Sequence, residues 1–305
     1  MTFLSWRAAL DGPVPAYYTR FAGWQACGIS ERSLMATGFF FINLDRDQER
    51  CAHMLRSAAL LGKSFTRVQA VDLTSFAGSL PVRFSPFKFS NERWTLRPFE
   101  IAVFESHRRA WTAFLETEHE LSVIMEDDML FESSFAQTIT RLEAHRSLFD
   151  IIKLNHSVQP RRLGPPIRSF HELSLRMVQE NIADAGCYIV TRHAAQSLLK
   201  QSETYCAHLD DFVFSPDRGL CTLQLIPPIT AQMIYMAEQK QTLATISTRL
   251  EQTDQAAKGP LSFRIWKEVR RLYKKGGRMI LSRANKGEQV DMSALLSEFR
   301  PMSPK

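Results

Sequence analysis

The feature that most restricts this chain is an alternation. From Thr37 onward, short apolar runs of strand length take turns with stretches of helical periodicity. That is the order of an α/β domain, in which helices cover a largely parallel sheet. Phe39 to Leu44 reads as a buried strand, Arg46 to Leu61 as an amphipathic helix and Phe65 to Val71 as a second strand. Leu73 to Thr95, with Pro81 and Pro86, is turn-rich and reads as a site loop. A long helix is expected from Pro98 to about Glu118. Leu121 to Met125, Ile151 to Leu154, Ala185 to Val190 and Thr222 to Ile226 read as the remaining strands. Arg192 to Lys200 is expected to be helical, and a polar loop is expected through Arg161, Pro165 and Pro166.

The 305 residues are 45% hydrophobic, enough for one large core or two modest ones. With 13 Gly and 14 Pro, collagen-like and low-complexity readings are excluded. No run reaches the about 18 apolar residues of a membrane span. Residues 1–37 lack a continuous apolar signal region, so export is not expected. The cysteines Cys27, Cys51, Cys187, Cys206 and Cys221 are scattered and form no CxxC pair. Neither a disulfide framework nor a zinc site is implied, which fits a reducing cytoplasm.

The net charge of +6 is unevenly placed. Residues 258–286 hold ten basic side chains and one acid, Glu268, so the rest of the chain is net negative. Within this segment Phe263, Trp266, Val269 and Leu272 or Tyr273 recur at helical spacing beside a cationic face. Such a helix suits an anionic membrane surface or, equally, packing on the main domain. The acidic body and the absence of an aromatic-rich RNA motif argue against nucleic acid. The expected organisation is an extension over 1–37, a domain over 38–250 and a basic tail over 251–305.

The run Leu121 to Met125 ends abruptly in Glu126, Asp127 and Asp128. Open α/β sheets bind ligands beyond the carboxyl ends of their strands. Strand alternation turns Glu126 and Asp128 to one face and Asp127 to the other. Two convergent carboxylates suit a hard ion, Mn²⁺ or Mg²⁺, which completes its coordination with water and a diphosphate. From the triplet alone, a solvated strand end is as good a reading.

Several motifs in order resemble glycosyltransferase family 25, the group of bacterial lipooligosaccharide galactosyltransferases and collagen galactosyltransferases. FFFINLDRDQER is similar to the family's first strand, with Asn43, Leu44, Asp45, Arg46 and Arg50 matching. TRVQAVDLTSF resembles the segment that usually reads Ala-Val-Asp-Gly, and PFEIAVFESHRRAW the Ser-His stretch, where Glu100, Ser106, His107 and Trp111 match. VIMEDDML, IIKLN, AGCYIVTRHAAQSLL and PPITAQ follow in the family's order. The likeness spans roughly Gly38 to Ala237. Phe99, Ala102, Val103 and Leu73 stand where the family usually has Gly, Gly, Cys and Gly; a glycine lost beside a ligand removes room for close backbone approach.

The resemblance implies a GT-A-like, Rossmann-type sheet, a UDP-sugar donor, often UDP-galactose, a Mn²⁺-type ion and inversion at the anomeric carbon. The acceptor it implies is a lipid-linked oligosaccharide. Glu126 and Asp128 are then the metal candidates. Asp210 and Asp211 are candidates for the base that takes the acceptor's proton, though they also fit as helix-capping residues. Asp72 is a candidate for the uridine, and Asn43, Glu100, His107 and Asp127 for the donor site or its support. The altered glycine positions keep open a catalytically silent protein of the same fold that acts as a binding or assembly factor.

Overall fold

The computed structural model describes residues 37–76, 79–85, 96–236 and 287–302, and within the basic segment residues 265, 268, 269 and 272. The first strand, β1 (Gly38–Asn43), is buried along its whole length, as a strand covered on both faces must be. Its alternation divides the interior: Phe40 and Ile42 enter one apolar cluster, Phe39 and Phe41 the other. Each buried Phe contributes about 1.5–3 kcal/mol, so neither cluster is dispensable.

Strand β1 pairs in parallel with β2 (Thr66–Gln69) on one side and β3 (Leu121–Glu126) on the other. The helices α1 (Gln48–Leu60) and α2 (Pro98–Leu115) lie on opposite faces of this parallel unit. Helix α2 begins with Pro98 in its first turn, where a missing N–H costs nothing. It buries Ile101, Phe104, His107, Trp111 and Phe114, a stripe at intervals of three to four residues.

The sheet continues from β3 into β8 (Cys187–Thr191), β5 (Ile151–Lys153), β9 (Thr222–Ile226), β7 (Leu173–Val178), β6 (Arg161–Phe170) and β11 (Glu288–Val290). Of these contacts only β5 with β9 is parallel; β8 runs antiparallel to both its neighbours, and β6, β7 and β11 also pair antiparallel. Helix α3 (Phe135–Glu143) packs with α1 on one face, while α4 (Arg192–Gln201) and α5 (Leu209–Val213) join α2 on the other. The result is a mixed α/β domain with a large central sheet flanked by helices, consistent with a GT-A-like fold. A second, two-stranded sheet pairs β4 (Met129–Phe131) with β10 (Thr230–Gln232) immediately after the acidic triplet.

Two parts of the structure differ from the sequence reading. Arg161 to Phe170 is a strand, not a loop. It pairs with β7 through register shifts on either side of Pro166, the irregularity that a residue without an N–H imposes on a ladder. Residues 287–302, assigned by sequence to the tail, return to the domain. There β11 extends the sheet along β6, and helix α6 (Met292–Glu298) leads into Phe299, which is buried against Leu130 and Ala231. Arg176 on β7 ties this strand down through Glu288. The stripe residues Phe263, Trp266 and Tyr273 lie outside the described residues, as do residues 1–36. Among the described residues no helix is long and apolar enough to cross a membrane.

Candidate active site

Glu126 closes β3 on the face of Ile124, which packs with α2; Asp127 follows on the face of Val123 and Met125, which packs with α1. The two carboxylates therefore have different surroundings. Asp127 is buried, accepts from Asn43 Nδ2 at 2.7 Å and pairs with Arg50 Nη1 at 2.9 Å. Asn43 is itself fully engaged, donating also to the Asp47 carbonyl and accepting from Arg67 Nε at 2.8 Å. Both residues thus brace the strand end from behind.

Glu126 and Asp128 are held differently. The Glu126 side chain keeps 29% exposure, and its Oε2 accepts from Gln232 Nε2 of β10 at 2.7 Å. Burial, reinforced by the negative charges of Asp184, Asp210 and Asp127, pushes its carboxyl up to about 8. Asp128 is also pushed up to about 8, by burial and then by Glu126, against the opposing pull of Arg50. One of its oxygens, Oδ1, is buried without a hydrogen-bond partner. Two carboxyls raised by burial and by neighbouring acids, one of them with an orphaned oxygen, form a donor set that a hard dication would satisfy. Among the described residues no group of three or more His, Cys, Asp or Glu is arranged as a metal cage.

Asp184, which the sequence reading did not single out, raises the carboxyls of Glu126, Asp128 and Asp210. It sits at φ +77°, a left-handed conformation that Asp tolerates better than most residues. Its backbone is clamped from both sides: its N–H donates to Asp210 Oδ2 at 2.7 Å and its carbonyl accepts from the Lys153 ammonium. Lys153 is 1% exposed on β5. It also donates to Asn155 Oδ1 at 2.6 Å, and burial lowers its pKa while Asp184 and Asp210 pull it back up. Next along the chain, a Cβ on Gly186 would stand 2.9 Å from Met129 Sδ and 3.1 Å from Asp184 Oδ1. Glycine here lets β8 approach the triplet closely, and the Gly186 carbonyl accepts from the Glu126 N–H at 2.8 Å.

Asp210, in the first turn of α5, is raised by burial and lowered by the Asp184 N–H it accepts. It reaches Glu126 and His107 electrostatically, whereas Asp211 enters through its repulsion of Asp210. His107 is buried, 2.9 Å from the Tyr188 hydroxyl through Nδ1 and 3.7 Å from Glu126 Oε1 through Nε2. Glu100 serves its own helix: it accepts the Arg97 N–H at 2.6 Å, pairs with the Arg97 guanidinium and lies 3.7 Å from His208. Asp72, beyond β2, accepts from Thr74 N–H at 3.0 Å and pairs with Arg46. The structure therefore gathers Glu126, Asp128, Asp210 and His107, adds Asp184, Lys153 and Gln232, and gives Asn43, Asp127, Glu100 and Asp72 local partners. Lys153 carries a signal in the sequence, a lone lysine inside an apolar strand, and Gln232 closes the PPITAQ motif; Asp184 carries none.

The family model described as "Glycosyltransferase family 25 (LPS biosynthesis protein)" matches residues 36–213. No curated protein matches the chain. Among solved structures, the crystal structure of A197 from STIV is similar at 12% identity and a TM-score of 0.35, covering 62% of this chain and 81% of that one.

Proposed function

The chain belongs to glycosyltransferase family 25, and from that premise we propose that it transfers a sugar, galactose in the first instance, from a UDP-sugar to a lipooligosaccharide or related glycan, with inversion. The family, that of an LPS biosynthesis protein, carries the coarser statement of a sugar donor and a glycan acceptor. One observation supports the finer one: at the carboxyl end of β3, Glu126 Oε2 is held by Gln232 while Asp128 Oδ1 is buried without a hydrogen-bond partner.

Glu126 and Asp128 would hold Mn²⁺ or Mg²⁺. That ion supplies Lewis-acid neutralisation of the charge that develops on the departing diphosphate. Gln232 fixes one oxygen of the Glu126 carboxylate through its contact with Oε2. Arg50 holds Asp127 on the other face and so leaves Asp128 to the site. The proton of the acceptor hydroxyl has to go to a carboxylate opposite the leaving group. Asp210 is the better candidate for that role than Asp211, because the Asp184 N–H fixes one of its oxygens and burial makes the group more basic. Lys153 limits that rise and so favours the ionised form that accepts a proton.

The partner surface we propose is an anionic lipid bilayer. Ile265, Val269 and Leu272 are helical, spaced to share a face, and 59%, 62% and 68% exposed. They stand among the basic residues of 258–286, the charge complement of such a surface. The proposal as a whole is tested with a panel of UDP-sugars, with and without Mn²⁺, read by thermal shift and by UDP released in the presence of a lipid-linked acceptor. Donor at about 100 times its dissociation constant should stabilise the fold by about 2.7 kcal/mol. A chain that neither shifts nor releases UDP with any donor would be a silent member of the family.

A further inference from the structure

We infer that Trp111, Tyr188 and His107 form a buried, one-directional hydrogen-bond chain that presents His107 to Glu126 as a donor, making His107 a positioning residue for the strand-end carboxylate. The inference rests on the reading of Glu126 as a metal-holding group.

The direction follows from donor and acceptor inventory. The Trp111 indole N–H only donates, and its partner is the Tyr188 oxygen at 2.8 Å. With that oxygen accepting, the single hydroxyl proton of Tyr188 is directed at its other neighbour, His107 Nδ1, at 2.9 Å. Nδ1 is then an acceptor, and a neutral imidazole carries its proton on Nε2. That nitrogen is buried, has no hydrogen-bond partner, and lies 3.7 Å from Glu126 Oε1.

The surroundings make a purely structural role a poor explanation. His107, Trp111 and Tyr188 are at most 1% exposed, and the His107 and Tyr188 rings lie nearly parallel with centroids 5.8 Å apart. An apolar ring would fill that space without stranding a nitrogen, and a buried donor with no acceptor is costly. A slight turn of the Glu126 side chain toward α2 closes the 3.7 Å gap and gives the donor its acceptor. Oε2 is already held by Gln232 at 2.7 Å. One donor on each oxygen fixes the plane of the carboxylate, and each oxygen keeps lone-pair capacity for a cation.

The test uses the full-length chain with ¹⁵N-labelled histidine. Long-range ¹H–¹⁵N spectra should show His107 protonated on Nε2, with Nδ1 as acceptor. Glu126→Gln should move the Nε2–H resonance, and Tyr188→Phe should populate the other tautomer. In parallel, the electron-paramagnetic signal of free Mn²⁺ should report binding weakened about 10- to 100-fold in His107→Phe. His107→Gln, whose amide nitrogen reaches the place of Nε2, should restore most of it. A wild-type His107 protonated on Nδ1, or a folded His107→Phe chain that binds Mn²⁺ as the wild type does, would overturn the inference. Should His107→Phe not fold, Tyr188→Phe decides through the tautomer. If the wild type binds no Mn²⁺, the metal reading fails, and an Nε2–H resonance unmoved by Glu126→Gln takes the positioning role with it.

Discussion

Arg50 Nη1 meets Asp127 Oδ1 at 2.9 Å on the face of the sheet turned away from His107. The middle acid of the triplet is thereby neutralised by a fixed cation while its two neighbours are not. Arg50→Met would leave Asp127 buried without its partner and remove the pull that Arg50 exerts on Asp128. The expected loss is about 3 kcal/mol, the low end for breaking a buried pair, since both side chains keep some solvent contact. Urea denaturation read by circular dichroism gives the number, and a change below about 1 kcal/mol would count against a bracing role.

Asp128→Ala should abolish metal-dependent UDP release and leave the fold intact. Its carboxyl is unfavourable in the folded chain when ionised, so the metal-free variant should melt no lower than the wild type. Retained metal-dependent turnover would remove Asp128 from the site.

The pH dependence of stability follows from the same pair. Both carboxyls sit near 8 in the folded chain against about 4 in the unfolded one. The folded state therefore holds the extra protons between those values, and stability falls as pH rises. The metal-free protein should be most stable near the acid end of that window and lose melting temperature steadily up to about pH 8. Mn²⁺ should flatten the decline, because it favours the ionised pair. A metal-free melting temperature that climbs from pH 5 to 8 would contradict the arrangement.

Lys153→Met removes the ammonium that holds the Asp184 carbonyl and Asn155. The methionine fits the apolar space beside Phe214, but the clamp on Asp184 and the counter-charge to Asp210 are lost. About 1.5–3 kcal/mol of stability should go with it. Turnover should drop more than donor affinity does, which steady-state measurement of UDP release would separate.

The basic segment is better tested by charge than by truncation. Removing residues 258–305 would take away β11 and the buried Phe299 as well. Replacing Arg270, Arg271, Lys274 and Lys275 by Gln leaves those contacts in place. Partitioning onto phosphatidylglycerol vesicles should weaken by about 1 kcal/mol for each cation lost. Equal partitioning of variant and parent would put the lipid contact elsewhere.

What the sequence discloses depends on how local its cause is. The strands β1, β3 and β9 are legible because burial on both faces writes an unbroken apolar run, and the acids after Met125 mark the carboxyl end of β3. Helix α2 is legible from Pro98 and its stripe. Strand β6 is not, since Pro165 and Pro166 are turn signals in isolation and are tolerated here beside a bulge near the sheet's edge. At the site, the acidic triplet announces itself, but its division of labour does not. Asp127 is taken by Arg50, far away in sequence, and Asp184 gains its position from contacts with β5 and α5. Those pairings are tertiary, and no spacing rule encodes them.

Met236 and Leu296 pack around the same small apolar cluster, with Phe299 at its centre. Phe299 therefore shores up β10, the strand whose Gln232 touches Glu126. The far end of the chain acts as a buttress, and loosening it would be felt at the strand-end carboxylate.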